Sequence, residues 1–249
     1  MRASVPRVRV LLLGVILALA TAGAATPHPV ADGGGARTAG ALAVERLARG
    51  GVAVYCGNRS ARLVALTFDD GPGRYTRAVT RTLQRAGARG TFFLVGQRLA
   101  WWRGALGAEA ATGAIGNHTW THRSLATLDG PGLNAEVGRT RSAEIARTGR
   151  IVSLFRPPYG VRTAAADAYL RRLGVLQVLW DAADSASGIR PGSIVLLHET
   201  RPQTVPLLGR ILRDLKRRHL RAVTVPELLA AARPRLTRDA RGPRTASYY

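Results

Sequence analysis

The feature that most constrains this chain is an alternation, from Arg62 onward, of short apolar runs with longer amphipathic stretches. The apolar runs have the length of strands and occupy residues 63–68, 91–95, 114–117, 153–156, 175–180, 193–198 and 221–225. The longer stretches have the length of helices and occupy residues 75–86, 97–111, 133–148, 163–173 and 205–218. Strands that alternate with helices form βα units and a parallel sheet. The sequence therefore predicts an α/β fold whose seven strands can close into a barrel.

One connection in this alternation is unusually short. Neighbouring parallel strands need a crossover of a dozen or more residues, which is usually helical. Only residues 181–192 separate Trp180 from Ser193, and Gly188 and Pro191 among them oppose a covering helix. Either this crossover has lost its helix, or the two strands that it joins are not simple parallel neighbours. In the first case we expect the barrel to be open to solvent on this side.

The first 25 residues have the pattern of a signal peptide. Arg2, Arg7 and Arg9 precede an apolar run at 10–20, and small residues suited to cleavage follow at 21–25. This apolar stretch is shorter than the ~20 residues of a spanning helix. We expect residues 1–25 to be a signal peptide and the protein to be exported, either extracellular or associated with the cell wall. An uncleaved N-terminal membrane anchor is the alternative.

Composition divides the rest of the chain. Residues 26–61 are rich in small residues up to about position 50, which predicts a flexible linker. Residues 62–233 carry the alternating pattern and are predicted to form the catalytic domain, and the basic tail at 234–249 is predicted to be disordered. With 37 Lys+Arg against 15 Asp+Glu, the formal charge is +22, which attracts polyanions such as an anionic cell envelope.

Two adjacent carboxylates, Asp69 and Asp70, follow the first apolar run and precede Gly71. Functional groups of parallel α/β folds collect at the carboxyl ends of strands. Adjacent carboxylates repel each other unless a cation binds one of them. Taken alone, the pair is equally compatible with a turn that caps a helix.

A pair of histidines, His118 and His122, follows another predicted strand end. Histidines four residues apart on a helical turn project from one face, close enough to ligate one ion. Together with an aspartate they form the two-histidine, one-carboxylate set that is typical of zinc. This pattern predicts a divalent metal, and its ligand chemistry favours Zn²⁺. It does not define the reaction, because unrelated sites share the same ligands.

Two more polar residues end predicted strands. Arg156 is followed by two prolines and Tyr159, which form a rigid loop, and His198 ends an almost wholly apolar run. An imidazole at that position can serve as a general acid near neutral pH. Each residue also has a structural interpretation, Arg156 as a structural ion pair and His198 as a polar strand end. The coincidence of four polar clusters with four strand ends favours a functional site.

These clusters together resemble the motifs of the polysaccharide deacetylases, carbohydrate esterase family four. The matching segments are Thr-Phe-Asp-Asp-Gly-Pro at 67–72, His-Thr-Trp-Thr-His at 118–122, Arg-Pro-Pro-Tyr at 156–159 and Leu-Leu-His at 196–198. The resemblance extends over residues 64–229. It implies a distorted (β/α)₇ barrel that hydrolyses N-acetyl groups of GlcNAc-type sugars in peptidoglycan or chitin-like polymers. No nucleic-acid partner is expected, because the predicted signal peptide and the lack of interleaved aromatic and basic residues oppose one.

The resemblance also implies a role for each matching residue. Asp70, His118 and His122 match the metal ligands, and Asp69 matches the catalytic base. Arg156 matches the residue that orients this base, the Tyr159 backbone N–H matches the oxyanion donor, and His198 matches the general acid. Trp180 and Asp184 belong to the region of the family's fourth motif, and the resemblance places them near the substrate.

This fourth motif departs from the family pattern. In the family it ends in Asp-Trp, where the aspartate supports the acid histidine and the tryptophan lines the acetyl pocket. Here carboxylates stand at Asp181 and Asp184, and no tryptophan follows either of them. We therefore expect a less firmly oriented His198 and tolerance for acyl groups larger than acetyl. A zinc-bearing, weakly active protein that binds wall polysaccharide is the alternative function; a nucleic-acid-binding protein rests on charge alone.

Overall fold

The structure is a computed structural model that describes residues 38–102 and 104–231. The predicted signal peptide, the linker residues 26–37 and the predicted tail at 234–249 lie outside the described residues. Among the helices of the described ranges, none has the length and apolar character needed to cross a membrane.

Among the described residues, nine strands form one sheet in which the strands pair in parallel. The strands are β1 (Ala53–Val54), β2 (Leu63–Gly71), β3 (Gly90–Leu94), β4 (Gly113–Asn117), β5 (Leu154–Phe155), β6 (Leu176–Val178), β7 (Ala182–Ala183), β8 (Ile194–His198) and β9 (Arg221–Val223). Their order is β1-β6-β5-β4-β3-β2-β8-β7, and β9 pairs with the first part of β2. The predicted parallel α/β fold is confirmed: the sheet curls into a half-barrel with helices around it.

Nine α-helices connect or flank these strands within the described ranges. They are α1 (Ala39–Arg49), α2 (Thr76–Arg85), α3 (Arg98–Trp101), α4 (Ala105–Thr112), α5 (Gly130–Leu133), α6 (Arg139–Thr148), α7 (Ala164–Arg172), α8 (Thr204–Arg217) and α9 (Val225–Ala231). All five predicted helical stretches contain helix. The stretch at 97–111 divides into α3 and α4, and a π-helical turn at Asn134–Gly138 separates α5 from α6.

The core forms where apolar helix faces cover the buried strand β2. Phe68 of β2 stacks on Phe92 of β3 with ring centroids 5.2 Å apart. Leu83 of α2 and Ile211 of α8 pack into the same cluster, and all these side chains are fully buried. Because burial of one large apolar side chain stabilises a fold by about 1.5–3 kcal/mol, this cluster fixes β2 as the central strand. The residues that follow β2 therefore stand on a rigid support.

The prediction of a flexible linker is wrong for the part of residues 26–61 that the structure describes. Residues 39–49 form helix α1, whose first turn is capped by the Thr38 side chain. Val44 and Leu47 of α1 are buried in a cluster with Leu228 of α9. The abundance of small residues hid an amphipathic pattern, and alanine favours helices. Within the described residues, every buried apolar side chain lies between Ala43 and Leu229, so the compact unit Ala36–Tyr249 contains its own core.

The segment between Trp180 and Ser193 contains no helix, as predicted, and β6 and β8 are not neighbours in the sheet. Instead β7, inside this segment, pairs with β8. The edge strand β1 pairs with β6, and Cys56 just after it forms an isolated antiparallel bridge with Ser193 at the start of β8. A segment from the N-terminal side thus links the two strands that the short crossover leaves apart.

Candidate metal and catalytic site

The four polar clusters of the sequence meet at one edge of the sheet. Asp69 lies near the end of β2, and its register partner on β8 is His198. His118 directly follows β4, and Arg156 directly follows β5. Because parallel strands end at the same edge, residues far apart in sequence come together there. The carboxyl edge of the sheet is the candidate site.

The three predicted metal ligands form one compact group. Ligand atoms of Asp70, His118 and His122 all lie within 4.8 Å of one another, and this is the one such group of at least three acidic, histidine or cysteine residues within the described part of the chain. Asp70 Oδ1 lies 3.3 Å from His122 Nε2 and 3.7 Å from His118 Nε2. One carboxylate and two imidazoles at these separations offer the donor set that zinc prefers.

A bulge lets both aspartates face this group. Successive side chains of a strand point to opposite faces of the sheet, so a regular strand would separate Asp69 from Asp70. Here the register shifts between Asp69 and Gly71, and Asp70 adopts a left-handed φ of 67°. As a result Asp69 Oδ2, like Asp70 Oδ1, lies 3.7 Å from His118 Nε2. Bulges re-aim side chains in this way beside functional sites.

The two histidines converge through a loop and not through a helical turn, which corrects the sequence-based geometry. Residues 118–122 contain no helix, and both Thr119 and His122 have left-handed φ values, 67° and 64°. The rings meet edge to face with their centroids 4.8 Å apart. The four-residue spacing identified the right pair for a different geometric reason.

Two residues that the sequence analysis missed hold this loop. The Glu136 carboxylate accepts hydrogen bonds from the Trp120 and Thr121 backbone N–H groups and from the Thr121 hydroxyl. The Asn117 side chain accepts from the Thr119 N–H at 2.9 Å and donates to a backbone carbonyl. Asn117 stands next to a ligand and was a detectable candidate. Glu136 lies in another element, and no local pattern links it to the histidines.

His118 is poised as a neutral ligand. Its Nδ1 lies 2.7 Å from the Arg156 carbonyl oxygen, which can only accept, so Nδ1 carries the hydrogen and Nε2 presents its lone pair to the group. Burial, followed by the charge of His122, lowers the pKa of His118 to about 3. Metal-binding histidines commonly donate their second N–H to a carbonyl or carboxylate in this manner. The residues therefore fit a divalent metal.

Asp69 and Arg156 form a buried ion pair beside the ligand group. Arg156 Nη1 donates to Asp69 Oδ1 at 2.8 Å, and the arginine side chain is fully buried. Burial raises the pKa of Asp69, against the lowering influence of Arg156 and His198. Burial also lowers the pKa of Arg156, against the opposing charge of Asp69. The arginine therefore fixes the position of the carboxylate more than it acidifies it.

The position of Arg156 is itself over-determined. Its guanidinium donates to the Val178 and Leu179 carbonyl oxygens, each at 3.0 Å, and to the Thr67 hydroxyl at 2.7 Å. It also lies 4.3 Å from the centroid of the Phe93 ring. A guanidinium with this many partners cannot change its rotamer without breaking several bonds. Asp69 is thus the one anionic member of a rigid network.

The tertiary structure selects Asp184 as the carboxylate beside the predicted acid. His198 Nδ1 lies 3.3 Å from Asp184 Oδ1 and 3.2 Å from Oδ2, whereas Asp181 pairs with Arg59. Arg201 also contacts Asp184, at 2.9 Å. Burial lowers the pKa of His198, but the hydrogen bond to Asp184 and the surrounding carboxylates outweigh it and raise the pKa overall. The pKa of Asp184 is lowered, because His198 and Arg201 together outweigh the effect of its partial burial.

The predicted opening of the barrel on this side does not reach the His198 side chain itself, whereas a less firmly oriented His198 stays a prediction. Its side chain is only 17% exposed. The exposed member of the pair is Asp184, at 37%, on a residue with a left-handed φ of 42°. The helix-free segment leaves the support of the acid exposed and not the acid.

Tyr159 and Trp180 complete the rim of the site. Tyr159 has a left-handed φ of 61°, and its ring contacts the His122 ring edge to face at 4.9 Å. The next two N–H groups in its turn bond to carbonyl oxygens of Pro157 and Pro158, and no hydrogen bond from the Tyr159 N–H occurs among the described residues. Trp180 lies beside this turn, with its ring centroid 5.5 Å from the Arg156 guanidinium.

A third residue missed from the sequence, Glu199, supports the loop that carries the aspartates. Its Oε2 accepts from the Thr76 hydroxyl at 2.7 Å, and the same Thr76 oxygen accepts from the Gly73 N–H at 2.8 Å. Its Oε1 lies so close to Gly71 that a Cβ there would come within 1.3 Å of it. Glycine is therefore required at 71. Burial raises the pKa of Glu199 to about 7.

Fold and site together define a class of protein. Its parallel, barrel-type sheet carries at the carboxyl edge a group of residues that could bind a metal and, beside it, a buried Asp–Arg pair. The sequence model of the family described as polysaccharide deacetylase matches residues 57–178. A peptidoglycan-N-acetylglucosamine deacetylase of Bacillus cereus is 32% identical over 189 residues, which cover 68% of this chain and 88% of the relative. The chain belongs to the polysaccharide deacetylase family.

Two further similarities agree with this assignment. A chitin deacetylase of Pestalotiopsis sp is 32% identical over 193 residues, and the match covers 68% of this chain but only 64% of the relative's length. A solved carbohydrate esterase of family four from Bacillus anthracis superposes with a TM-score of 0.65 at 25% identity, covering 80% of this chain and 95% of the other. The predicted (β/α)₇ barrel-type fold and the predicted family are both confirmed.

Proposed function

We propose that this protein is an exported, metal-dependent hydrolase that removes N-acetyl groups from GlcNAc-type sugars of peptidoglycan or chitin-like polymers. The observation that carries the proposal is the Asp70, His118 and His122 group beside Asp69, which Arg156 holds in place. The named relatives act on peptidoglycan N-acetylglucosamine and on chitin, so the substrate class follows the family. The formal charge of +22 favours retention near an anionic envelope.

Asp70, His118 and His122 would hold the metal, with Zn²⁺ the best match to their donor chemistry. When bound, such an ion supplies Lewis acidity that polarises the acetyl carbonyl and eases deprotonation of water. His118 enters this role already neutral, with its Nε2 lone pair directed at the group.

Asp69 acts as the general base. It takes a proton from the attacking water while the water oxygen forms a bond to the acetyl carbon. Its raised pKa improves its match to this task, since a base works best when its pKa approaches the working pH. Arg156 keeps the carboxylate in one orientation throughout, because its own donors are fixed by the interior.

The remaining steps use groups on the other strand ends. The Tyr159 N–H donates to the carbonyl oxygen as negative charge develops there. His198, whose pKa is raised, then gives a proton to the amide nitrogen as the carbon–nitrogen bond breaks. An amine leaves poorly without that proton. The products are acetate and a free amino sugar, and a proton passes from Asp69 back to His198 through solvent.

The direct test measures acetate and free amine released from N-acetylated chitooligomers and peptidoglycan by zinc-loaded protein. We expect turnover on one of these polymers, loss of turnover on removal of the metal, and recovery on its return. Absence of turnover on both polymers by fully metal-loaded protein would refute the hydrolase. The altered fourth motif favours a second function, the binding of wall polysaccharide without hydrolysis. Co-sedimentation of the protein with the polymer would detect this binding.

Export is part of the proposal and has its own test. The basic start, the apolar run and the small residues at 21–25 support a cleaved signal peptide. Expression of the full chain in a secreting host should release a protein whose N-terminus lies near residue 25. Retention of an intact N-terminus in the membrane fraction would instead support the anchor.

A further inference from the structure

The edge of the sheet opposite the candidate site has an unusual distribution of charge. All paired strands are parallel, so residues that precede strands collect at this amino-terminal edge. Arg89 directly precedes β3, Arg221 begins β9, and Arg150 lies shortly before β5. Helices α2 and α8 return toward the same edge and end there with Arg85 and Lys216 in their last turns. We call these residues and Arg213 the amino-edge cations.

Five cations surround a single cavity at this edge. The cavity has a volume of about 560 Å³, and its charged lining is Arg85, Arg89, Arg213, Lys216, Arg221 and Glu227. Glu227 forms an ion pair with Arg89. Within the described residues the other four cations have no ion-pair partner. Four like charges around one cavity repel one another, and an anion placed among them relieves that repulsion.

Elsewhere some exposed arginines contact carboxylates, as Arg59 does with Asp181 and Arg201 with Asp184, while others, such as Arg77, have no ion-pair partner within the described residues. What distinguishes this edge is that four cations without such a partner line one cavity. At the amino-terminal edge, Glu227 is the one carboxylate among the described residues that line the cavity. Arginine matches the geometry of phosphate groups especially well. The cavity therefore has the chemistry of a phosphate-binding surface.

An exposed apolar side chain stands on the same edge. Ile151 is 76% exposed, next to Arg150. Both line a second cavity, of about 750 Å³, which shares Arg89 and Glu227 with the first. Cations beside a protruding apolar side chain are typical of proteins that lie on a membrane surface. A soluble polyanion gives no reason for the isoleucine.

The position of the candidate site agrees with the same partner. The catalytic residues lie at the opposite edge of the sheet. A domain that rests on its amino-terminal edge would face the lipid with its cations and the polysaccharide with its site.

We propose that the amino-terminal edge docks on a membrane surface rich in anionic phospholipid, with the amino-edge cations on lipid phosphates and Ile151 at the interface. The inference is independent of the proposed hydrolysis, since no catalytic residue lies on this edge. It assigns the orientation of the domain and not the reaction.

The test compares two variants of the chain Ala36–Tyr249 that change net charge equally. Arg85→Glu with Arg213→Glu reverses two amino-edge cations, and Arg74→Glu with Arg123→Glu reverses two exposed arginines that follow β2 and β4 at the opposite edge. Binding is measured by co-sedimentation with vesicles of equal parts phosphatidylglycerol and phosphatidylcholine. Because a surface cation contributes about 1 kcal/mol to binding anionic lipid, we expect the first variant to bind at least about tenfold more weakly than the second.

Three results would overturn the proposal. Equal loss in both charge variants would show that net charge alone attracts the protein. Binding to pure phosphatidylcholine as tight as to the mixed vesicles would exclude recognition of anionic lipid. Binding to soluble polyphosphate but not to vesicles would assign the surface to a free polyanion.

Two further variants complete the test. If the charge-reversed chain does not fold, Arg85→Gln with Arg213→Gln replaces it. Ile151→Ser, which keeps the charge, should weaken vesicle binding about 2–5-fold.

Discussion

The two halves of the candidate site are supported in different ways. The ligand half, with His118 and His122, is held by buried groups: Glu136 fixes the loop backbone, and a main-chain carbonyl accepts from His118. The acid half depends on Asp184, which is 37% exposed, is shared between His198 and Arg201, and comes from a segment without a helix. Exposed ion pairs are individually weak, so the contacts of Asp184 hold the acid half less firmly than the buried contacts hold the ligand half. The comparison indicates that the ligand group tolerates little change, whereas the acid half is adjustable.

The largest effect is expected in the ligand half. The double variant His118→Ala, His122→Ala should reduce bound zinc from about one ion per chain to none, because two of three ligands are lost. Metal analysis of the purified protein after dialysis measures this directly. Full zinc occupancy in the double variant would show that the metal, if any, binds elsewhere.

A second prediction separates the adjacent aspartates. Asp69→Asn should keep the metal and lose about 10²–10⁴ in kcat, because a general base is removed while the ligands remain. Asp70→Asn is the matched control and should weaken metal binding itself. The assignment of roles fails if the two variants behave alike in both the metal and the rate assays.

A third prediction addresses the acid half. Asp184→Asn should retain zinc and lower kcat by about 10–100-fold, the range typical of a residue that orients another. Loss of the carboxylate should also lower the pKa of His198, which Asp184 raises. The alkaline limb of the kcat profile, where the acid loses its proton, should then move to lower pH. Asp181→Asn, which removes the other carboxylate of the segment, should leave the profile in place.

A fourth prediction concerns the missing tryptophan of the fourth motif. Because Ser185 and not tryptophan follows Asp184, the protein should accept N-propionyl chitooligomers relatively well. Ser185→Trp should raise the preference for acetyl over propionyl by about tenfold, the usual scale for one methylene in an apolar pocket. The ratio of kcat/KM values for the two oligomers provides the measurement. An unchanged ratio would mean that another residue closes the pocket.

The smallest effect on activity is expected from a buried acid of helix α6 that belongs to neither half of the site. Glu144 of α6 is fully buried without a hydrogen-bond partner for either oxygen among the described residues, and burial raises its pKa well above 4.5. The folded protein therefore binds a proton that the unfolded chain releases, so the free energy of unfolding falls as pH rises above about 4.5. Glu144→Gln should raise Tm at neutral pH more than at pH 4, because it removes a proton whose binding differs between the folded and unfolded states. It should leave kcat unchanged. An equal shift at both pH values would contradict the titration.

The sequence by itself determined seven of the nine strands within the described residues, their alternation with helices, and the three residues of the ligand group; β1 and β7, of two residues each, were not predicted. Each strand is a short apolar run whose pattern reports burial locally, and each polar cluster directly follows such a run. The chemistry of carboxylates and imidazoles then predicted a divalent metal, and the structure brings those residues together in a group that could hold one. The motif order added the family, which the comparisons show.

Tertiary structure decided what no local pattern carries. Helix α1 is composed of small residues, and only its packing against α9 distinguishes it from a linker. The choice of Asp184 over Asp181 depends on the pairing of β7 with β8. Glu136 supports the histidine loop and Glu199 supports the aspartate loop, each from a different element of the fold. The physical reason is the same in each case. The spacing of apolar residues along the chain predicts which face of a single element is buried. A hydrogen bond between distant elements forms only after the sheet has brought those elements together.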